Sequence, residues 1–325
     1  MIDSLKIEKL IKDSDQVFIT AHRNIDLDAL GSILGVYYIS SNIGKTTYIV
    51  IDDEELTPEV KRALSTIKKI DDIIPIKYLE FKKIVTSKSL LIITDTNKEN
   101  RLQNKNLAKF KNKVVIDHHI KTNDSITDAI YECVDINSSS ACEMVLELLK
   151  DLNVYIPSEI SNIMLAGMYI DTNGFVLKTT EKTHEFVSLL YKFGADNIEV
   201  QYLLKQNLNE YKRRQKLILK AEIYDNVAVA VSRSKYLNTE LAKASDVLLT
   251  FNNVEASFTI AKISNNVVGI SARSLGNVDV EKIMNHFGGG GHKTDAATQI
   301  INKDVDKVKE ELLEYIGGLN EGNIY

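Results

Sequence analysis

Short apolar runs rich in β-branched residues recur along the N-terminal part of the chain, and segments with helical spacing of apolar residues lie between them. The runs are "VFITA" at 17–21, "TYIVI" at 47–51, "LLIIT" at 90–94 and "KVVI" at 113–116. Strands that alternate with helices are typical of βαβ units, and continuous apolar strands are typical of a sheet covered on both faces. The pattern therefore predicts an α/β fold with a mostly parallel sheet.

The pattern changes to helices from about residue 139. Three are predicted, in "SACEMVLELLKDL", "SEISNIMLAGMYIDT" and "EKTHEFVSLLYKFGA", and Gly194 closes the last one. One long polar helix is predicted over 197–221, and we interpret it as a connector. Its basic cluster of Lys212, Arg213 and Arg214 is interpreted as a solvated helix face rather than a nucleic-acid patch.

A second set of strands begins after residue 222, in "NVAVAVSRS", "VEASFTIAKIS" and "NVVGISARS". Helices are predicted around them at 239–249, 278–287 and 304–317. This part reads as a smaller α+β domain. The predicted organisation is a first domain over 1–195, a helical linker over 196–222 and a second domain over 223–325.

Length and composition agree with an ordinary two-domain globular protein. The 325 residues exceed what one hydrophobic core usually organises, and the contents of 44% hydrophobic and 26% charged residues are average. No apolar run approaches the roughly 18 residues of a membrane span, and "MIDSLKIEKLIKDSDQ" lacks the apolar core of a signal peptide. We therefore expect a cytoplasmic protein without a membrane partner.

Charge and cysteine content narrow the classes of partner. A net charge of −5 argues against a long nucleic-acid partner, which basic surfaces usually hold. A small anionic ligand stays open, because bound metal ions would supply a local positive charge. Cys133 and Cys142 lack the C-x-x-C spacing of redox and zinc motifs, so we interpret both as reduced packing residues.

Metal-ligating side chains follow the first and third predicted strands. "AHRNIDLDALGS" carries His22, Asp26 and Asp28 in a strand-to-helix loop, and Asp95 follows "LLIIT" directly. These residue types bind borderline divalent metals, and the carboxyl ends of parallel strands form the ligand crevice of open α/β sheets. The alternatives are that Asp28 caps the next helix, that Asp26 is merely solvated, and that Asp95 is a helix cap.

The fourth strand ends in an acid and two histidines. In "VVIDHHI", one imidazole can bind metal while its neighbour faces a phosphate, and Asp117 can orient a ligand ring. Asp171 ends the mainly apolar stretch "NIMLAGMYID", where a lone carboxylate would be costly to bury unless it were paired or metal-bound.

Together these positions suit a two-metal centre in which one carboxylate bridges ions about 3.5–4 Å apart, as in enzymes of phosphoryl transfer. Carboxylates in the majority with some imidazole favour manganese over magnesium or zinc. The segment "FGGGGHKTDAATQI" is a further candidate site. Its glycines permit a close ligand approach, His292 and Lys293 add donors, and Arg273 in "GISARS" is a plausible phosphate ligand. On composition alone, the glycine run would be a linker.

At this point the chain resembles a known family. "HRNIDLDALGS", "IITDTN", "VVIDHH" and "AGMYIDTNGF" resemble the four motifs of the DHH phosphoesterase superfamily, and "ISARS" with "GGGGHKTDAA" is similar to its DHH-associated C-terminal domain. Within the superfamily, the nearest resemblance is to the catalytic module of bacterial cyclic di-AMP phosphodiesterases. The chain departs from their pattern at Ile25, in "DTNKENR" and in "DTNGF", which leaves the choice of substrate open.

The resemblance implies six ligands for two Mn²⁺ ions. His22 and Asp26 would hold one ion, Asp28, His118 and Asp171 the other, and Asp95 would bridge both. His119 would then face the scissile phosphate, with Asn24 nearby and Asp117 supporting the site. The implied catalytic residues are therefore His119, Asp95 and Asp117.

The resemblance also implies a site for the remote phosphate or base. It consists of Arg273, His292 and the loop formed by Gly288, Gly289, Gly290 and Gly291, across a cleft between the two domains. Homodimers are common in the family, so a homodimer is expected.

The expected activity is manganese-dependent hydrolysis of cyclic di-AMP to pApA, and onward to AMP if the product is also a substrate. Alternatives in the same superfamily are a nano-RNA exonuclease that also removes the 3′-phosphate of phosphoadenosine phosphate, and a pyrophosphatase. A different class is a non-catalytic nucleotide sensor, against which the complete set of six ligands argues.

Overall fold

The computed structural model describes residues 2–53, 56–68 and 73–321, and the chain divides into two compact units, Met1–Lys205 and Gln206–Tyr325. The boundary falls inside the segment predicted as a linker. Among the described residues, no helix combines the length and the apolar character needed to cross a membrane.

The first unit is built on a five-stranded parallel sheet, which confirms the predicted α/β class. Its strands are β1 (Gln16–Thr20), β2 (Thr46–Ile49), β3 (Leu90–Thr94), β4 (Lys113–Asp117) and β5 (Tyr131–Val134). They lie in the order β2-β1-β3-β4-β5. The four predicted runs correspond to β1–β4, whereas β5 was not predicted. Every residue of β3 and β4 is buried, as expected for central strands covered on both faces.

Eight α-helices of this unit are described, together with two short 3-10 helices. The α-helices are α1 (Ser4–Asp13), α2 (Leu27–Asn42), α3 (Pro58–Ile67), α4 (Tyr78–Ile84), α5 (Ala141–Asp151), α6 (Ser158–Asp171), α7 (Glu181–Lys192) and α8 (Asn197–Leu203). The 3-10 helices are Glu99–Arg101 and Lys105–Lys109. The predicted helices after residue 139 are α5, α6 and α7.

Helices α2 and α6 approach each other closely at Gly167. A Cβ atom at this position would lie 2.7 Å from the Cα of Asp28 and 2.8 Å from the carbonyl oxygen of Leu27. Only a glycine fits against that backbone without displacing it. The contact brings the C-terminal end of α6, where Asp171 lies, to the first turn of α2.

The second unit contains a six-stranded mixed sheet, which confirms its α+β character. The strands are β6 (Ala221–Tyr224), β7 (Val227–Lys235), β8 (Ala256–Lys262), β9 (Val267–Ser274), β10 (Gly290–His292) and β11 (Asp295–Ile301). They lie in the order β10-β11-β9-β8-β7-β6, with β7 and β8 parallel and the other neighbours antiparallel. Its helices are α9 (Leu208–Ile218), α10 (Asn238–Leu248), α11 (Val280–His286) and α12 (Val305–Glu321).

The single long helix predicted over 197–221 is wrong, because α8 ends at Leu203 and α9 begins at Leu208. The Asn207 side chain caps α9 by accepting hydrogen bonds from the backbone N–H groups of Asn209 and Glu210. The prediction that Lys212, Arg213 and Arg214 form a solvated helix face is also wrong in part. Arg214 is 8% exposed, although Lys212 and Arg213 are exposed.

Candidate metal centre

The N-terminal candidate residues converge at one edge of the parallel sheet. His22 follows β1, Asp95 follows β3, and Asp117 ends β4 directly before His118 and His119. Strands β1, β3 and β4 are adjacent and parallel, so their carboxyl ends meet. The turn after β3 places Asp95 in the left-handed region, with a φ of 56°.

Asp95 lies at the centre of the cluster. One carboxylate oxygen, Oδ2, is 3.1 Å from Nε2 of His22, and the other, Oδ1, is 3.3 Å from Nε2 of His118. Oδ1 is also 3.7 Å from Nδ1 of His119. Because Asp95 is 3% exposed, its two carboxylate oxygens must interact with groups of the protein or with a ligand bound among those groups.

On one side of Asp95 lies Asp26. Its Oδ1 accepts the N-cap hydrogen bond from Ala29 N, and its Oδ2 is 3.6 Å from Nε2 of His22. Asp26 therefore caps α2 and still turns one oxygen toward the cluster. The alternative in which Asp28 caps this helix is wrong.

On the other side lie Asp28 and Asp171. Nε2 of His118 is 3.3 Å from Oδ2 of Asp171 and 3.9 Å from Oδ2 of Asp28. The Asp28 carboxylate accepts hydrogen bonds of 2.7 and 2.9 Å from the N–H groups of Ala141 and Cys142, at the start of α5. A helix N-terminus stabilises a carboxylate, and here it fixes the orientation of a fully buried one.

Burial and the close approach of charged groups shift the pKa values of several side chains in the cluster. Burial, together with the carboxylates of Asp171 and Asp95, raises the pKa of Asp28 well above its usual value. Burial opposes protonation of His22 and His118, yet their carboxylate neighbours raise the pKa of both imidazoles well above the usual value. Burial likewise opposes ionisation of Asp95, but His118 and His22 hold its pKa below the usual range.

The donor set fits divalent metal ions. Within the described part of the chain, three groups have ligand atoms within 4.8 Å of one another, and Asp95 or His118 takes part in each. The groups are His22, Asp26 and Asp95; Asp28, His118 and Asp171; and Asp95, His118 and His119. Oδ1 of Asp95 and Nε2 of His118 are buried, and neither has a hydrogen-bond partner among the described residues. Since buried polar atoms are nearly always satisfied, these two atoms point to bound cations.

Asp117 and Asn97 support the cluster from behind. Oδ1 of Asp117 accepts hydrogen bonds from the His118 N–H at 2.9 Å and from Nδ1 of His119 at 2.8 Å. Asn97 donates to Oδ2 of Asp117 at 2.6 Å. Sequence reasoning assigned Asp117 this kind of role but gave none to Asn97, although Asn97 lies within the quoted motif "LLIITDTN".

Two further supporting residues, Asp53 and Gln103, were also missed. The Asp53 carboxylate accepts hydrogen bonds of 3.0 Å from the N–H groups of Asn24 and Ile25. Gln103 donates to the His22 carbonyl oxygen at 2.7 Å and to Asp53 at 2.9 Å. An available signal was that Asp53 follows the second apolar run much as Asp95 follows the third. No sequence signal marks Gln103.

The exposed Asn24 side chain lies in the loop that carries His22 and Asp26, and its backbone has a φ of 56°. The N–H group of Asn24 is held by Asp53, so this loop has a defined conformation. Asn24 therefore lies beside the predicted metal ligands.

The remaining candidates lie in the second unit. Arg273 on β9 donates from Nε to Asp246 Oδ1 and from Nη1 to Asp295 Oδ1, both at 2.7 Å. Asp295 is the register partner of both Arg273 and His292 on the flanking strands. Arg273 is thus already paired with two carboxylates, and Nη2 is left as its remaining donor group among the described contacts.

The glycine run has structural reasons for its composition. The N–H groups of Gly288 and Gly289 bond to the Asn285 and Met284 carbonyl oxygens at the end of α11. A Cβ atom at Gly289 or Gly291 would clash with β11 backbone. Gly290 begins β10, and a Cβ atom there would make only an ordinary contact of 3.6 Å with Asn285 Oδ1. The linker interpretation is wrong, because the run forms a helix end and a hairpin strand.

Comparison with known families agrees with this architecture. Residues 16–168 match the model of the DHH family, N-terminal domain, and residues 224–318 match the model of the DHHA1 domain. The chain belongs to the DHH family.

Two relatives with named activities are similar to this chain over most of its length. The chain is 34% identical over 330 residues to the cyclic-di-AMP phosphodiesterase PdeA of Listeria monocytogenes, covering 98% of this chain and 50% of PdeA. It is 26% identical over 305 residues to the bifunctional oligoribonuclease and PAP phosphatase NrnA of Mycoplasma genitalium, covering 90% of this chain and 91% of NrnA. The chain thus spans about half the length of PdeA.

A solved structure matches the fold over nearly the whole chain. The crystal structure of an exopolyphosphatase-related protein from Bacteroides fragilis has a TM-score of 0.82 and 21% sequence identity, with 97% of this chain and 96% of that one covered. At this level of sequence identity, the match shows the fold alone.

Proposed function

We propose that the chain is a manganese-dependent phosphodiesterase that hydrolyses cyclic di-AMP to pApA. The observation that carries the proposal is the buried cluster of carboxylates and imidazoles that meets at Asp95. The similarity to PdeA over 98% of this chain supports the choice of substrate. Onward hydrolysis to AMP stays a prediction, as do the cytoplasmic location and the homodimer.

In this proposal, His22 and Asp26 would hold one ion, Asp28, His118 and Asp171 would hold the other, and Asp95 would contribute to both groups. Two ions bound there would polarise the phosphoryl oxygens and activate a water molecule for attack on phosphorus. Oxygen ligands in the majority with some imidazole suit manganese.

The side chains around the ions have separate tasks. His119 donates its Nδ1 proton to Asp117 Oδ1, so the ring presents its other nitrogen, Nε2, to the phosphate. A proton on Nε2 would be donated to a phosphoryl oxygen and would stabilise the charge that develops there. His119 is partly exposed, with 31% of its side chain accessible, so it can reach a ligand in solution.

For the nucleotide, the proposal assigns Asn24, Arg273, His292 and the run from Gly288 to Gly291. Arg273 would use its Nη2 group, because Nε and Nη1 are engaged by Asp246 and Asp295. Within the glycine run, Gly290 and Gly291 are the better candidates for backbone contacts, since the N–H groups of Gly288 and Gly289 cap α11.

One observation favours a second candidate function. The similarity to the bifunctional oligoribonuclease and PAP phosphatase NrnA of Mycoplasma genitalium covers 90% of this chain at 26% identity. The alternative is therefore an oligoribonuclease and phosphoadenosine phosphate phosphatase that uses the same cluster. Rates with cyclic di-AMP, pApA, a short RNA and phosphoadenosine phosphate, measured side by side, distinguish the two.

The test is hydrolysis of cyclic di-AMP by the purified chain with Mn²⁺, followed by liquid chromatography of the products. We expect pApA from the wild type and no measurable product from Asp95→Asn. Asparagine tolerates the left-handed backbone at this position, so the change removes charge with little strain.

Asp225→Asn is the matched control, because Asp225 is also left-handed but lies in an exposed turn. It should retain wild-type turnover. Turnover that survives Asp95→Asn, or a wild type inactive with every divalent metal tried, would contradict the proposal.

A further inference from the structure

The buried Asn97 side chain makes a complete set of hydrogen bonds behind His119. Its Nδ2 group donates to Asp117 Oδ2 at 2.6 Å and to the backbone carbonyl oxygen of His119 at 2.9 Å. Its Oδ1 accepts a hydrogen bond of 2.7 Å from the Ser125 hydroxyl. Asn97 has no exposed surface, so no water competes for these bonds.

The orientation of this amide follows from the chemistry of its partners. The Asp117 carboxylate and the His119 carbonyl oxygen can only accept hydrogen bonds, whereas the Ser125 hydroxyl can donate or accept. The NH₂ group of Asn97 must therefore face Asp117 and His119. The reverse orientation would oppose the amide oxygen to two acceptors.

Asn97 also anchors the loop that follows the histidines. Its backbone carbonyl oxygen accepts from Ile126 N at 2.7 Å, and Ser125 Oγ accepts from Thr122 N at 2.9 Å. The amide thus holds the Asp117 carboxylate, the backbone of His119 and the returning chain at once.

We propose that Asn97, fixed by Ser125, is a positioning residue that keeps the Asp117 carboxylate and the His119 backbone in the arrangement that presents the His119 imidazole to substrate. The inference rests on the proposed phosphodiesterase function. Asp117 uses Oδ1 for the His118 N–H and for the His119 ring, so its Oδ2 depends on Asn97 among the described residues. Without that donor, the carboxylate is free to rotate about its terminal bond and to release the ring.

Asn97→Asp keeps the shape of the side chain but replaces the two N–H donors with an acceptor. We expect kcat to fall about 10- to 100-fold, the usual cost of losing a supporting hydrogen bond behind a reactive group, with KM changed by less than about threefold. Ser125→Ala should lower kcat in the same sense but less. Both are measured with bis(p-nitrophenyl) phosphate at saturating Mn²⁺, because this diester needs no nucleotide recognition.

Asn162→Ala is the matched control. Asn162 is a buried asparagine of the same unit, and its Oδ1 accepts from Asp196 N at 2.7 Å. It should lower the melting temperature and leave kcat within about twofold of the wild type, since it touches none of the proposed reactive groups. A kcat for Asn97→Asp equal to that of the wild type, or a fall in kcat no larger than that of Asn162→Ala, would overturn the inference.

A second readout does not depend on turnover. In metal-free protein labelled with ¹⁵N-histidine, the hydrogen-bonded Nδ1 proton of His119 should give a downfield signal that is absent from His119→Gln. We expect Ser125→Ala to weaken this signal and Asn97→Asp to abolish it. An unchanged signal in Asn97→Asp would overturn the inference even if the wild type hydrolysed no diester, whereas inactivity of the wild type alone would count only against the proposed function.

Discussion

Replacing Gly167 with alanine should weaken metal binding although Gly167 carries no ligand atom. The added Cβ would lie 2.7 Å from Asp28 Cα, 2.8 Å from the Leu27 carbonyl oxygen and 2.9 Å from Asp28 N. All three are backbone atoms in the first turn of α2. They cannot rotate away, so the two helices must move apart.

The size of that movement follows from the contact distances. Ordinary van der Waals contact begins near 3.4 Å, so the closest pair must separate by about 0.7 Å. Metal–ligand distances tolerate errors of only about 0.2 Å, and Asp28 and Asp171 lie on opposite sides of this contact. We therefore expect Mn²⁺ affinity to fall about 10- to 100-fold. Overpacking should cost about 1–3 kcal/mol of stability, offset by about 1 kcal/mol of helix propensity gained by alanine.

Titration calorimetry of metal-free protein with Mn²⁺ measures the affinity, and thermal unfolding in chelator measures the stability. Gly35→Ala is the matched control on α2, because its Cβ would meet only side-chain atoms, with Val145 Cγ1 at 2.5 Å and Met164 Cε at 3.3 Å. It should change stability and leave the affinity unaltered. A folded Gly167→Ala variant that binds Mn²⁺ within about twofold of the wild type would refute the reasoning.

Two further expectations concern supporting contacts. Gln103→Ala removes the donor to the His22 carbonyl oxygen, so it should lower Mn²⁺ affinity in the same titration, and a wild-type affinity would contradict that role. The ammonium of the buried Lys113 holds the pKa of Asp128 below its usual value of 3.8, so this pair stabilises the fold above that pH. Asp128→Asn should cost about 1 kcal/mol in urea unfolding at pH 7, and the difference should vanish as the pH falls through the lowered pKa. A difference that persists at lower pH would contradict it.

The sequence predicted the parts of the site that follow strands. Asp95 and Asp117 come directly after continuous apolar runs, the two histidines follow Asp117, and parallel strands bring such ends together. Strand β5 was missed because "YECV" has neither a long apolar run nor strict alternation. The break between α8 and α9 depends on the cap at Asn207, a local signal that a polar helical pattern conceals.

The supporting contacts could not be predicted because they join residues distant in the chain. Asp28 is held by the start of α5, more than a hundred positions away, and Gly167 matters only once α6 packs on α2. Gln103 similarly connects the ends of β1 and β2. Such hydrogen bonds depend on tertiary packing, which spacing along the sequence does not encode.

The rate of cyclic di-AMP hydrolysis, measured while Mn²⁺ is added stepwise to metal-free protein, tests the two-ion phosphodiesterase most directly. We predict little turnover at one equivalent of Mn²⁺ per chain and a plateau at two equivalents. The reason is that the proposed reaction needs both ions, one in each of the two ligand groups that share Asp95. Full turnover at one equivalent, turnover that persists in chelator, or no turnover at any Mn²⁺ concentration would contradict it.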